Sequence, residues 1–223
     1  MDKLKNKLLD ILLFPARLYE GLTDRKATLI AGIVLVGAID FLLPDVKGIV
    51  KELFLGKSAP DIVYNAGMAA LVLMLLGFID VIFVSVPLFD IAAYLKRKEA
   101  RFISETGIEG GEQQPPLQPT VIKVMKAYVI LHFLVIPVQL IINYAIPPEV
   151  FEDGSALLQN LSVLLFMLIM IWGAAILTRG INSIFRFGML FRRLIFIIVF
   201  TWQYIFGMVF DLLIINWLMQ LFR

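Results

Sequence analysis

The sequence predicts an all-α membrane protein: a bundle of about five transmembrane helices preceded by an amphipathic helix in the interface. Three observations predict it. Of 223 residues, 60% are hydrophobic, where a soluble domain carries about half. Five stretches meet or approach the roughly 20 apolar residues that a hydrocarbon core of roughly 30 Å asks of a helix. The lysines and arginines flank alternate ends of those stretches, as expected when basic loops are retained on the cytoplasmic side.

Residues 1–26 read as a cytoplasmic interfacial element. Leu4, Leu8, Ile11, Leu12, Leu18, Tyr19 and Leu22 recur at helical spacing, with Lys3, Lys7, Asp10, Arg17 and Glu20 largely on the other side, and Pro15 predicts a kink. Asp10 and Pro15 interrupt the apolar run and no small-x-small cleavage site follows it, so a cleavable signal is not expected. The membrane domain is expected over residues 27–223, with spans at Ala27–Leu43, Ile62–Phe89, Ala127–Ile146, Ala156–Thr178 and Leu194–Leu218. The first is short and the second long enough to tilt or project. Between the first two, Asp45–Leu55 predicts a second interfacial helix, with Val46, Ile49, Val50, Leu53 and Phe54 on its apolar face. Ser104–Thr120, with its Gly110-Gly111, Gln113-Gln114 and Pro115-Pro116 pairs, has no apolar face to bury and reads as a flexible cytoplasmic linker.

Charge sets the expected orientation. Six basic residues precede the first span (Lys3, Lys5, Lys7, Arg17, Arg25, Lys26). Six more lie between the second and third (Lys96, Arg97, Lys98, Arg101, Lys123, Lys126), and Arg179, Arg186, Arg192 and Arg193 lie between the fourth and fifth. The opposite side holds Lys47, Lys51, Lys57 and Arg223, and its Pro147–Ser155 loop carries only acids. The amino terminus is therefore expected in the cytoplasm and the carboxyl terminus outside. Arg186, Arg192 and Arg193, interleaved with Phe185, Phe187 and Phe191, are candidates for lipid headgroups, although a topology signal alone would need the same residues.

Several chemistries are excluded. There are no cysteines and one histidine, so neither thiolate chemistry nor an HExxH zinc motif is available, and no G-x-S-x-G elbow or phosphate loop occurs. The net charge of +2 is too small to indicate a nucleic-acid partner. No enzyme activity, cofactor or metal is expected. The partners expected are membrane lipids, with a membrane protein or a second copy of the chain as further candidates.

Polar residues inside the spans are the candidate site, because an ionisable side chain there is costly and usually faces the bundle interior. Tyr128, His132, Gln139 and Asn143 share one face of the third span; Gln203, Gly207 and Asp211 share one face of the fifth; Gly77, Asp80, Val84 and Pro87 share a stripe of the second. Counting residues from the cytoplasmic ends puts Asp80, His132 and Gln203 at one depth, and Asp40, Asp211, Gln139 and Asn143 in a second layer nearer the outer surface. Each layer has three readings: polar contacts that tie helices together, a proton or ion relay through Asp80 and His132, or a seat for a polar headgroup. Gly37-Ala-Ile-Asp40 and Gly77-Phe-Ile-Asp80 share a pattern, but four residues are too few to indicate duplication. An intramembrane aspartyl hydrolase would need two facing carboxylates, and neither Asp40 nor Asp211 has the glycine-x-glycine-aspartate or tyrosine-aspartate context.

The order of landmarks resembles the Yip family of five-span membrane proteins. The residues that carry the resemblance are Phe14-Pro15-Ala16-Arg17-Leu18-Tyr19-Glu20-Gly21-Leu22, Ala127-Tyr128 leading to Ile136-Pro137, and Trp172 with Arg179-Gly180-Ile181. The resemblance implies a cytoplasmic amino terminus and a role in organising membranes or binding partners within them; eukaryotic members are associated with Rab-type GTPases. A long amino-terminal region for GTPase contact is not seen, and the Pro-rich linker looks like an insertion. The expectation is therefore a member in a prokaryotic plasma membrane without Rab-type GTPase binding. A small transporter or channel subunit using the polar layers is the alternative.

Overall fold

The structure, a computed structural model, describes residues 10–42, 46–106, 118–145 and 156–210. Among these there is no strand, and the elements are α1 (Ala16–Glu20), α2 (Lys26–Leu42), α3 (Val46–Phe54), α4 (Ala59–Thr106), α5 (Val121–Ala145), α6 (Ala156–Phe185) and α7 (Met189–Val209). Four helices, α4 to α7, are long and apolar enough to cross a membrane. The expected first span forms α2, whose 17 residues reach about 25 Å at a rise of about 1.5 Å each.

The chain reverses at each long helix. Lys126 donates to the Thr23 carbonyl at 2.6 Å and Val129 faces Gly32, so α2 and α5 run in the same direction. Gly173 faces Leu131 while Gly180 faces Ala127, so α6 opposes α5. Glu99 reaches Gly188 while Phe83 stacks on Phe206, so α7 opposes α4. The tight turn at residues 186–188 sets α6 against α7, which leaves α2 antiparallel to α4. Leu76, Val72, Val36, Ile176, Leu177 and Ile195 form part of a continuous buried core. Leu71, Met74 and Phe78 on α4, and Leu157, Leu161, Leu164 and Leu168 on α6, stand exposed at helical spacing. That much outward apolar surface matches a hydrocarbon solvent, not water: the fold is a multi-pass α-helical membrane bundle.

Two prolines act as the sequence predicts or are compensated. Residues 10–13 are helical, the helix breaks at Phe14 and Pro15, and α1 restarts behind Pro15. Pro87 lies inside α4, where its ring removes the hydrogen bond to the carbonyl four residues earlier. That carbonyl, on Phe83, accepts from Trp202 Nε1 at 3.2 Å instead. α3 also forms as expected, with Ile49 and Leu53 buried; it stops where Gly56 takes φ +74, a conformation glycine adopts without steric cost. Asn65 Nδ2 then donates to the Leu53 carbonyl at 2.8 Å, tying α3 to α4.

Two helices continue beyond the spans expected of them. α4 runs 48 residues to Thr106, so Ser104 is helical rather than part of a linker; residues 107–117 of that linker lie outside the described residues. α6 continues past Thr178 to Phe185 and carries Arg179 and Ser183 on its last turns. The two extensions meet. Glu99 Oε1 accepts from the Gly188 backbone N–H at 2.6 Å, and Lys96 Nζ donates to Glu99 Oε2 at 2.7 Å and to the Arg186 carbonyl at 2.8 Å. The end of α4 thus braces the α6–α7 turn, where Arg186 takes φ +53.

The interfacial element is anchored on α6. Asp10 pairs with Arg179, Trp172 Nε1 donates to the Leu12 carbonyl at 2.7 Å, and Tyr19 is buried against Gly180, where an added Cβ would lie 2.9 Å from the ring. Burial pushes the Tyr19 phenol well above the ordinary tyrosine range, offset in part by Arg179. The ring, rather than the hydroxyl, supplies the packing. Tyr19→Phe is therefore expected to melt within about 1 kcal/mol of the parent, and Tyr19→Ala to lose about 3–5 kcal/mol in detergent.

Because the chain has no cysteines, cross-links report cleanly on helix neighbours. A Cβ on Gly32 would lie 3.4 Å from Val129 Cβ, near the separation of about 3.5–4.5 Å that a disulfide spans. Oxidised Gly32→Cys/Val129→Cys protein should migrate as an internally linked monomer on non-reducing gels. A pair placing the outward-facing Ile30 in Gly32's role should not.

Candidate functional site

Three helices bring four polar side chains together inside the bundle: Asp40 from α2, Asp80 from α4, and Tyr128 and His132 from α5. One ligand atom from each of Asp40, Asp80 and His132 lies within 4.8 Å of the other two. Tyr128 Oη donates to Asp80 Oδ1 at 2.9 Å and lies 3.1 Å from Oδ2. His132 Nε2 sits 3.4 Å from Asp80 Oδ2, and the His132 and Tyr128 rings meet edge to face at 4.6 Å. Asp80 and Tyr128 are buried; Asp40 and His132 are half-buried.

The helix crossing places the two aspartates. α2 and α4 touch backbone to backbone at Gly37 and Gly77: a Cβ on either would collide with a carbonyl of the other helix, Leu73 or Ile33. Asp40 and Asp80 each follow the crossing glycine by three residues. In an antiparallel pair that sends them to opposite sides of the crossing, but every Cα–Cβ bond tilts toward the start of its own helix. Both side chains therefore lean back and meet. This corrects the expected depths: Asp40 joins Asp80 and His132 rather than a separate outer layer.

The remaining candidates fall elsewhere. Gln139 and Gln203 are half-buried, and neither hydrogen-bonds the cluster. α7 instead meets α4 through Trp202 and Phe206. Asp211 and the side chain of Asn143 lie outside the described residues, as does the acidic Pro147–Ser155 loop. Tyr128 stood on the expected polar face of the third span without being singled out, and its position one turn before His132 was the available signal. Among the described residues the carboxylate facing Asp40 is that of Asp80, which Tyr128 and His132 also engage.

The histidine geometry determines what the site can hold. His132 Nδ1 lies 3.1 Å from the Tyr128 carbonyl, which can only accept, so Nδ1 carries the hydrogen. In the neutral ring Nε2 is then a lone pair turned toward a carboxylate oxygen. Two such groups repel unless a proton or a cation lies between them.

A second feature lies at one end of the bundle. The ties between Thr23 and Lys126, Asp24 and Thr120, Asp10 and Arg179, and Lys96 and the Arg186 carbonyl gather the start of α2, the end of α4, the start of α5 and the α6–α7 turn, with the basic residues they carry, on one side. Arg97, Lys98, Arg101, Arg192 and Arg193 are exposed there, beside exposed Phe102, Met189 and Leu190. Phe185, Phe187 and Phe191 stack in series under Lys96, and Arg192 Nε donates to the Phe187 carbonyl at 2.7 Å. Comparison with protein-family models, with curated proteins and with solved structures returns no match to this chain.

Proposed function

We propose that the chain is a non-enzymatic, five-span membrane protein of Yip-like layout that binds and organises lipid or protein partners at its basic end. The observation that supports this is the rim where exposed cations alternate with exposed apolar side chains, Arg101 with Phe102 and Arg192 and Arg193 with Met189 and Leu190. Such a rim lets the apolar groups enter the acyl boundary while the cations meet phosphate. By the distribution of basic residues this end is cytoplasmic, with the amino terminus on the same side, the carboxyl terminus outside, and a prokaryotic plasma membrane as the setting. Rab-type GTPase binding is not part of the proposal.

Each basic residue near an anionic leaflet contributes about 1 kcal/mol. Replacing Arg186, Arg192 and Arg193 together by glutamine should therefore weaken anionic-lipid retention by up to roughly a hundredfold. Lipid co-purified in mild detergent, quantified by mass spectrometry, is the measurement. Unchanged retention in a variant with the parent's melting temperature contradicts the proposal and leaves these arginines as topology determinants. A second reading, a small transporter or channel subunit, is favoured by the Asp40, Asp80 and His132 convergence. Solute or ion flux in liposomes that disappears in Asp80→Asn would put it first.

A further inference from the structure

We propose that Asp40, Asp80 and His132 bind one divalent first-row transition-metal ion in the bundle interior, with Tyr128 orienting the Asp80 ligand. This goes beyond the lipid-organising reading and does not depend on it. Four features of the geometry carry it. The ligand atoms come from three different helices and converge within 4.8 Å, so the site is made by the bundle rather than by one helix surface. His132 donates its Nδ1 hydrogen to a backbone carbonyl and turns Nε2 inward, the arrangement that fixes tautomer and ring angle in metal-binding histidines. Its 3.4 Å separation from Asp80 Oδ2 is close to the roughly 3.3 Å edge between two ligands held tetrahedrally at about 2.0 Å. The Tyr128 hydroxyl, hydrogen-bonded to the Asp80 carboxylate, supplies the outer contact that holds the carboxylate in place.

The charge and donor types choose the ion. Two carboxylates and a neutral imidazole around a divalent cation sum to zero, the arrangement least costly to surround with hydrocarbon. A monovalent ion would leave a net negative charge. Magnesium and calcium favour shells of six or more oxygens, whereas imidazole with carboxylate suits zinc, cobalt, nickel or ferrous iron. Three protein ligands also leave one tetrahedral position open, so the same arrangement serves a structural ion completed by water or an exchangeable one.

The test is cobalt titration of the full chain, stripped with chelator and held in mild detergent, read by visible absorption. The expected result is uptake of one equivalent with the intense bands of a four- or five-coordinate site, displaced by zinc, and a rise in melting temperature on adding zinc. His132→Gln and Asp40→Asn should abolish both signals. Tyr128→Phe keeps all three ligands and nearly all of the packing; it should weaken binding by about 10–100-fold. Folded parent protein that takes up no stoichiometric cobalt or zinc overturns the proposal, as does uptake unchanged in both ligand variants. Should a ligand variant fail to fold, Tyr128→Phe decides: unchanged affinity there overturns the assignment of the site. Lipid retention, measured on the same samples, is expected to be the same with and without metal, so failure of either proposal is read separately.

Discussion

Valine in place of Gly77 is expected to force α2 off α4 and to cost about 3 kcal/mol or more of stability in detergent, the upper end of what overpacking costs. The neighbour that a Cβ would meet is the Ile33 carbonyl oxygen, with the Gly37 nitrogen 2.7 Å away. Side chains relieve a clash by changing rotamer; a helix backbone relieves it only by moving the whole helix. The reciprocal substitution, Gly37→Val, meets the Leu73 carbonyl and the Gly77 nitrogen at 2.8 Å and should behave alike. Because Asp40 and Asp80 meet only while the backbones touch, either variant should also lose the metal-dependent rise in melting temperature. Gly67 is the control on the same helix: nothing lies within 4 Å of a Cβ added there. Gly67→Ala should be neutral or stabilise by up to about 1 kcal/mol through helix propensity. Thermal melting of the three variants side by side makes the comparison.

Much of the architecture was legible because the bilayer demands long apolar helices and water demands the opposite. The all-α class and the burial of Ile49 and Leu53 follow from period and length, and the break at Pro15 from the N–H that proline lacks. The ends of α4 and α6 did not, since apolarity sets how far a helix stays in hydrocarbon, not how far it continues. Lys96, Arg97, Lys98, Glu99 and Arg101 are good helix formers and prolong α4 to where Lys96 and Glu99 hold the α6–α7 turn. Arg179 likewise stays helical while it pairs with Asp10.

The interior site was half legible. Asp80, Tyr128 and His132 followed from helical spacing, but Asp40 was assigned by Cα depth, which ignores that side chains on antiparallel helices lean toward each other. The shared Gly-x-Ile-Asp pattern at Gly37 and Gly77 was the sequence signal for the crossing, and it acts through contact between the two copies rather than through ancestry. Metal-ligand capacity could not be read at all, because ligands from three helices leave no fixed spacing in the chain.

Whether Asp80 and His132 form one interior unit is decided by a double-mutant cycle in chelator-treated protein. In metal-free protein a proton is what lies between the two groups, so removing one member leaves the other uncompensated, at a cost of about 3–5 kcal/mol in well-buried cases, whereas removing both leaves neither without its partner. Asp80→Asn and His132→Gln should each lower the melting temperature, and the double variant should be more stable than the sum of the two losses by at least about 1 kcal/mol. Losses that add to within about 0.5 kcal/mol would mean that the two side chains do not interact, against their 3.4 Å separation.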